Sequence, residues 1–385
     1  MGTIDRSGIG YHGHGANMIP WQAKEILREM LAMPHRRRAA ALNEAIKKAP
    51  SDEPVLGFGG LLDGEGLIHG GAVKLLSLRD GFRHNEDEFN VLYLVSSAQP
   101  RFAEDLVRGC HERGIKFVWN QNGVGYPAWA GRDMDRHNEP MRRLRSLADF
   151  VIYQSEFCRS SAETFLGSCD KPSTILLNPV DLVKFTPRTH PLPARPLRLL
   201  AMGTQNYRDR VVNALDCLRS LQGDGVECTL TIAGPLIWKN AERDLHTTIE
   251  SMRLAGSVKT LPPFRQDEAA DIYRAHHVLL HPKYMDPCPT VVAEALACGL
   301  PVVASRSGGM SEMVDGSCSR LIEVHQSWDR LFTPSGRELA QAVICIAQDL
   351  HAFVRAARCR AELLFDAETW RERHADIFRS LLVAR

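Results

Sequence analysis

The sequence predicts an α/β protein made of two doubly wound, parallel-sheet domains in tandem. Short apolar runs alternate with segments of helical period before residue 187, and the same alternation returns after residue 197. This alternation is typical of βαβ units, and the unbroken apolar runs suit strands that are buried on both faces. Between the two series, residues 186–196 contain four prolines in eleven positions, which predicts a stiff, extended linker.

The length of 385 residues fits two domains, at roughly 100–200 residues for each. We expect a helical head segment at 1–52, a first α/β domain at 53–187, a second at 197–365 and a C-terminal helix at 366–385. The predicted strands lie at 55–62, 90–97, 115–120, 150–154 and 174–177 in the first domain, and at 197–203, 227–234, 258–261, 278–281, 301–305 and 320–324 in the second.

The composition is that of an ordinary soluble protein and narrows the class of partner. The net charge of +1 gives no sign of a nucleic-acid partner. The ten cysteines form no CxxC pair, which argues against a zinc site or a disulfide framework and for a reducing compartment. The first residues lack the apolar core of a signal peptide, and no run of about 18 apolar residues occurs. We therefore expect a cytoplasmic protein.

The head segment carries one feature with two interpretations. Residues 35–38 read His-Arg-Arg-Arg within a segment of helical period. The first interpretation is a solvated helix face, and the second is a contact with an anionic lipid or with an acceptor. A peripheral membrane contact stays open on this basis.

The most informative stretch runs from residue 278 to residue 314. A buried strand leads into a proline-rich loop that holds Asp286, and a helix starts near Thr290 and carries Glu294 in its second turn. The next strand runs into Gly308 and Gly309 and a second helix start. Two strand-to-helix loops thus lie at the C-terminal edge of the sheet, where ligands bind in open α/β sheets. Helix N-termini there suit phosphate.

This stretch resembles the signature of glycosyltransferase family 4, also described as glycosyl transferases group 1. The family pattern is Glu-x7-Glu, then an Ala-x-Ala-Cys-Gly-x-Pro-Val-Val-like run and Gly-Gly-x-x-Glu. This chain has Asp286-x7-Glu294, the run at 294–303, and Gly-Gly-Met-Ser-Glu at 308–312. The resemblance implies the GT-B fold, in which two Rossmann-like domains face each other across a cleft. It also implies retaining transfer from a nucleotide-diphosphate sugar to a carbohydrate or lipid-linked acceptor, without a metal or other cofactor.

The resemblance also implies roles for individual residues. Glu294 would hold the ribose of the donor, and Asp286 with the loop of Cys288, Pro289 and Thr290 would hold the sugar. The glycine loop at 64–71, which ends in Gly70 and Gly71, resembles the family's first-domain loop near the diphosphate. The implied donor site further includes Gly203, Thr204, Gly308 and Gly309. The turn at 178–181 and the helix at 370–382 resemble family segments that end the first domain and cross back onto it.

Two departures from the family pattern concern charge. The leading acid is Asp286 rather than Glu, which keeps the charge but shortens its reach. The family usually has an arginine after the glycine of the first strand of the second domain, and here Gly203 is followed by Thr204. Arg210, or Arg208 close by, would then contact the diphosphate, since arginine binds phosphate bidentately.

The segment 119–127 in the first domain offers a further candidate. Asn122 follows a predicted strand and would lie near the reacting sugar, with aromatic neighbours to stack on a ring. The alternative is a turn built around Asn122 and Gly123. The nearby Asp133-Met-Asp135 is not interpreted as a metal site, because no apolar strand precedes it.

Three other functions remain compatible with the sequence. These are a sugar-nucleotide epimerase, a phosphorylase, and a non-catalytic protein of the same fold that binds a nucleotide. Thr204, in place of the arginine, favours the last of these.

Overall fold

The computed structural model describes residues 44–61 and 70–383. The basic run at 35–38, most of the head segment and residues 64–69 of the glycine loop lie outside these ranges. No helix within them is long and apolar enough to cross a membrane.

The first half of the chain forms a six-stranded sheet in which every pairing is parallel. Its spatial order is β3-β2-β5-β6-β7-β8, and a two-stranded pair, β1-β4, lies beside it. The strands are β1 Lys47–Lys48, β2 Val55–Gly57, β3 Arg83–His84, β4 Glu88–Phe89, β5 Val91–Val95, β6 Lys116–Gln121, β7 Phe150–Tyr153 and β8 Ser173–Ile175.

The second half repeats this arrangement after the proline-rich linker. Its six parallel strands have the order β11-β10-β9-β12-β13-β14. They are β9 Leu197–Met202, β10 Cys228–Ala233, β11 Val258–Leu261, β12 Val278–His281, β13 Val302–Arg306 and β14 Ser319–Glu323. The predicted fold class, two parallel-sheet α/β domains, is confirmed.

Helices connect the strands and cover both faces of each sheet. They are α1 Gly70–Gly81, α2 Ala103–Glu112, α3 Pro127–Ala130, α4 Met134–Leu147, α5 Glu156–Leu166, α6 Arg208–Gly223, α7 Ala241–Ser251, α8 Ala269–Arg274, α9 Thr290–Ala297, α10 Met310–Met313, α11 Gly336–Ala347, α12 Leu350–Leu364 and α13 Ala367–Val383. Residues 336–364 form two helices, because the Asp349 side chain accepts from the Ala352 amide and caps a new helix there.

The central strand β5 shows why the apolar runs are continuous. All five of its residues are buried, and successive side chains point to opposite faces. Leu92 and Leu94 pack with α2, α4 and α5, whereas Tyr93 packs with α1 and α13. Each face of the sheet therefore has its own core. Full burial of one such aliphatic side chain contributes about 1.5–3 kcal/mol to stability.

The last helix, α13, returns to the first domain. Trp370 and Phe378 pack against the same sheet face as Leu56 and Leu75, in one continuous core. Just before α13, where the chain returns to the first domain, Asp366 forms a parallel β-bridge with Val180. The first domain is therefore built from two separate stretches of sequence.

The two domains are joined by a carboxylate at the start of α5. Glu312, in α10 of the second domain, accepts hydrogen bonds from the amides of Glu156 (2.6 Å) and Phe157 (3.0 Å) in the first. Beside it, the Ser155 hydroxyl donates to the carbonyl of Pro287 at 2.8 Å. Glu312 thus accepts hydrogen bonds from the free N–H groups at the start of α5 in the opposite domain. Its negative charge also interacts favourably with the positive end of that helix dipole.

This geometry predicts a specific effect of Glu312→Ala. Loss of the cap should cost about 0.5–2 kcal/mol and shift the domains toward a more open arrangement. Small-angle X-ray scattering should then show a larger radius of gyration. Glu338→Ala is the matched control, since Glu338 caps α11 within its own domain. Identical scattering from the wild type and both variants would contradict the prediction.

Candidate active site

A cavity of about 810 Å³ lies between the two domains, at the C-terminal edges of both sheets. Both domains contribute to its wall, as expected for a ligand site at strand ends. From the first domain the lining includes Gly71, Ser96, Ser97, Asn122, Gly123, Tyr126, Trp129, His137 and Asn178. From the second it includes Gly203, Thr204, Tyr207, Arg210, His281, Lys283, Asp286, Cys288, Pro289, Thr290 and Trp328.

Asp286 is the acidic centre of this cavity. One carboxylate oxygen, Oδ2, lies 2.9 Å from Nζ of Lys283 and 3.1 Å from Nε2 of His281. Burial alone would raise the pKa of the carboxyl, but the Lys283 charge and the His281 contact outweigh it and hold the pKa well below its usual range. Burial lowers the pKa of His281. Asp286 is therefore an ionised hydrogen-bond acceptor, with its other oxygen, Oδ1, outside both of these contacts.

The loop that holds Asp286 rests on the two glycines of the next strand-to-helix turn. A Cβ on Gly308 would lie 2.4 Å from the Asp286 carbonyl oxygen, and one on Gly309 would lie 2.0 Å from that of Pro287. The Gly309 amide donates to the Asp286 carbonyl at 3.0 Å. Gly308 and Gly309, predicted to bind the donor, pack beneath the loop and are not among the residues that line the cavity.

The loop continues through Cys288 and Pro289 to Thr290, and all three residues line the cavity. The Asn178 side chain donates to the Cys288 carbonyl at 2.6 Å, which fixes the loop from the first domain. Helix α9 begins at Thr290, where the Val292 and Ala293 amides donate to the Pro289 carbonyl and the N–H groups of Thr290 and Val291 have no partner within the helix. This end of the cavity can accept negative charge.

Glu294, predicted to hold the ribose, lies behind the cavity wall. Its carboxylate accepts from Gln266 Nε2 at 2.6 Å and from the Tyr273 hydroxyl at 2.8 Å, and it does not line the cavity. It lies one turn into α9, where the helix directs its side chain toward α8 rather than the cavity. Burial raises its pKa to about 7.

Arg210 and Arg208 have different surroundings. Arg210 is buried, lines the cavity and donates from Nη1 to the Thr204 carbonyl at 3.2 Å, while its Nε has no hydrogen-bond partner. Arg208 is half exposed, pairs with Asp244 at 2.6 Å and lies outside the cavity lining. Residues two positions apart on a helix do not share a face, which accounts for the difference.

Arg210 is a buried cation whose charge is not balanced by a salt bridge in the described ranges. Burial lowers its pKa, and no carboxylate there lies within ion-pairing distance of its guanidinium. Gly203 and Thr204 lie beside it, and Gly203 has a φ of 96°, with Val291 only 3.2 Å from where a Cβ would be. A buried charge of this kind is costly unless an anion pairs with it.

The first-domain wall centres on Asn122, at the end of β6. Its side-chain amide donates to the Ser97 hydroxyl at 2.5 Å, and its Oδ1 accepts from Nζ of Lys74 at 2.8 Å. Helix α1 begins at Gly70, and Gly71 lines the cavity. Lys74 lies about one turn further along this helix. Sequence reasoning missed Lys74, since nothing local distinguishes a buried lysine from an exposed helix lysine.

An aromatic wall completes the cavity. Tyr126, Trp129 and His137 of the first domain face Trp328 of the second, whose ring lies 5.3 Å from that of Tyr126. The Ala128 amide donates to the Trp328 carbonyl at 2.7 Å, so this wall also joins the domains. The expected stacking surface near residues 119–127 thus has a partner, Trp328, that the sequence did not indicate.

Ser155 and the segment 133–135 lie outside the cavity lining. Ser155 contacts the Pro287 carbonyl, as described, and is part of the domain contact. Among residues 44–61 and 70–383, no group of three or more His, Cys, Asp or Glu side chains is arranged to hold a metal ion, Asp133 and Asp135 included.

The second domain resembles known proteins in sequence. Residues 184–332 match the family model of glycosyl transferases group 1. A D-inositol 3-phosphate glycosyltransferase of Arthrobacter sp. (strain FB24) is 34% identical over 161 residues, covering 39% of this chain and 38% of the relative. A putative colanic acid biosynthesis glycosyltransferase, WcaL of Escherichia coli (strain K12), is 26% identical over 213 residues, covering 52% and 50%. The chain thus matches half or less of the length of these relatives.

Solved structures extend the likeness to most of the chain. Anabaena Alr3699/HepE, in a complex with UDP, superposes with a TM-score of 0.63 at 18% identity, covering 80% of this chain and 82% of that one. Sucrose-phosphate synthase from Thermosynechococcus elongatus gives a TM-score of 0.63 at 17% identity, covering 82% and 78%. The second domain carries the glycosyl transferases group 1 match, and the two domains together adopt the GT-B fold.

Proposed function

We propose that the protein is a retaining glycosyltransferase of family 4, which moves a sugar from a nucleotide-diphosphate sugar to an acceptor hydroxyl. The observation that supports this most directly is the buried Arg210, unbalanced by a salt bridge, at the same cavity as the ionised Asp286. One group suits a diphosphate and the other suits sugar hydroxyls. The match over residues 184–332 and the named relatives support the same reaction.

The chemical barrier is departure of the nucleotide diphosphate from an oxocarbenium-like centre. The bond from the anomeric carbon to the diphosphate breaks, the acceptor oxygen bonds to that carbon, and the acceptor proton ends on the departing phosphate. Arg210 and the N-terminus of α9 offset the developing negative charge. Asp286 accepts a hydrogen bond from a sugar hydroxyl, and the proposed reaction uses no covalent nucleophile.

Thr204 is compatible with this assignment because Arg210 reaches the turn where the family's arginine would stand. Its guanidinium donates to the Thr204 carbonyl, so a single buried arginine serves the diphosphate. We propose that this reaction needs no metal, since protein cations supply the positive charge. The acceptor is a carbohydrate or lipid-linked hydroxyl compound that packs on the wall of Tyr126, Trp129 and Trp328. The protein would act in the cytoplasm, with a peripheral membrane contact as an option for lipid-linked acceptors.

A second function is favoured by one observation, the loss of the family arginine at Thr204. A protein with this fold that binds a nucleotide without turnover would retain the cavity and Arg210. The two functions differ in a single outcome, because both predict ligand binding and only the first predicts transfer.

The decisive experiment is a panel of UDP-, GDP- and ADP-sugars, read by thermal shift and then by turnover. We expect one nucleotide class to raise the melting temperature, since a ligand at a hundred times its Kd stabilises by about 2.7 kcal/mol. With that donor, NMR should show transfer to a sugar acceptor with the donor's anomeric configuration. EDTA should leave the rate unchanged. Stabilisation without any product would instead support the binding protein, and inversion would refute retention.

Arg210→Met should weaken donor binding by about 10- to 100-fold, because a hydrogen bond to a charged group contributes about 1.5–3 kcal/mol. Isothermal titration with the nucleoside diphosphate of the stabilising donor measures the change. Arg208→Met is the matched control and should bind within about twofold of wild type, since its partner is Asp244. Equal losses in both variants would refute the assignment of Arg210.

Asp286→Asn should lower kcat/KM for the donor by about 10- to 100-fold, through loss of a charged acceptor for a sugar hydroxyl. Nucleoside diphosphate affinity should fall much less, because the sugar is absent from that ligand. Asp267→Asn, at an exposed carboxylate paired with Arg265, is the control and should leave both values unchanged. Wild-type kcat/KM in Asp286→Asn would rule out its contact with the sugar.

A further inference from the structure

Lys74 is a fully buried lysine behind the cavity wall, and the proposed reaction gives it no role. Its Nζ donates to Oδ1 of Asn120 at 2.7 Å and to Oδ1 of Asn122 at 2.8 Å. Within the described ranges it forms no ion pair. A buried ammonium that is bonded only to neutral amides is costly, and such a residue calls for an explanation.

The orientation of Asn120 is determined from the far side of the sheet. His374, on α13, contacts the Trp370 carbonyl through Nδ1 at 2.9 Å. A carbonyl can only accept, so Nδ1 carries the proton and Nε2 accepts from the Tyr93 hydroxyl at 3.1 Å. The Tyr93 oxygen then accepts from Asn120 Nδ2 at 2.9 Å. Each donor in this series of hydrogen bonds is therefore assigned. Because Asn120 uses its Nδ2 on Tyr93, its Oδ1 faces Lys74.

Asn122 is held in the corresponding way at the cavity. Its Nδ2 donates to the Ser97 hydroxyl, and its Oδ1 faces Lys74. Lys74 thus uses two N–H bonds to fix two carboxamides, and the second of these lines the cavity. A neutral amine has two N–H bonds and a lone pair, so the neutral form satisfies both amides. Protonation adds a charge and a third donor.

Among residues 44–61 and 70–383, no carboxylate forms an ion pair with Lys74 that would keep it charged. The groups that face it are the thiols of Cys158 on α5 and Cys288 in the Asp286 loop, with Tyr93 on β5 and His374 on α13 further along. Burial raises the pKa of both thiols and of Tyr93, and it lowers that of His374 to about 3, so all four are neutral near pH 7. Burial likewise lowers the pKa of Lys74 to about 7.

We propose that Lys74 is a positioning residue that fixes the Asn122 carboxamide at the cavity and gains a proton from solvent, on Nζ, when an anionic diphosphate enters. This inference rests on the proposed function, because it takes the anion to be that of the donor. The linkage is reciprocal: the anion favours the ammonium form, and the ammonium form strengthens binding of the anion. Binding should therefore weaken as the pH rises above 7, where the free protein loses this proton.

The test is calorimetric titration of the full chain with UDP, and with GDP as a second probe, at about pH 8 in two buffers of different ionisation enthalpy. UDP is fully ionised there, so the buffer dependence reports protons taken up by the protein. We expect the wild type to take up on the order of one proton per nucleotide and its Kd to rise between about pH 7 and 9, by at most about tenfold per unit. Lys74→Met should lose this uptake.

Two further variants test whether the proton uptake belongs to Lys74 itself or to any lysine of the protein. Lys74→Arg keeps the charge and the donors but cannot release a proton, so it should bind without uptake. Lys259→Met, at an exposed lysine of β11, should behave as wild type. If Lys74→Met fails to fold, the arginine variant and the wild-type pH dependence decide the question.

The outcomes distinguish this inference from the proposed function. Nucleotide binding with the same proton uptake in wild type and Lys74 variants, or with a pH-independent wild-type Kd, would overturn the role of Lys74 and leave donor binding intact. Failure of the folded wild type to bind any nucleoside diphosphate would overturn the proposed function and, with it, this inference.

Discussion

The cavity depends on the carboxylate of Glu312 holding the start of a helix in the opposite domain. Neither domain encloses the site, because Asn122 and Tyr126 come from one sheet and Arg210 and Asp286 from the other. Glu312 belongs to the Gly-Gly-x-x-Glu turn, whose glycines support the Asp286 loop from below. One short segment therefore supports the Asp286 loop and also contacts the opposite domain.

The charges in the cavity follow from that arrangement. Asp286 is ionised because its contacts with Lys283 and His281 outweigh the cost of its burial. The ion pair of Asp286 and Lys283 is nearly neutral overall. Arg210 forms no salt bridge within the described ranges, so its end of the cavity holds a positive charge that is free to pair with an anion. A ligand that is anionic at one end and rich in hydroxyls at the other matches this asymmetry, whatever its base or sugar.

The sequence predicted the fold and the loop because both have local signals. The apolar runs specify parallel strands, and the stretch from 278 to 314 has a long, ordered pattern. Side-chain directions were less accessible: the pattern places Glu294 in the motif, but Tyr273 and Gln266, from another helix and loop, decide where its carboxylate points. Helical phase predicts that Arg208 and Arg210 diverge, although only packing shows which one is buried. Lys74 is positioned by asparagines more than forty residues away, beyond any local pattern.

The return of α13 to the first sheet has a consequence for any attempt to exchange domains between relatives. A fragment cut at the proline-rich linker would lack Trp370 and Phe378, leaving bare the apolar face formed by Leu56 and Leu75. It would also lack His374, which sets the orientation of Asn120 behind the cavity. A chimera that transplants this domain therefore needs two junctions, one in the linker and one before residue 366, so that both stretches come from the same parent.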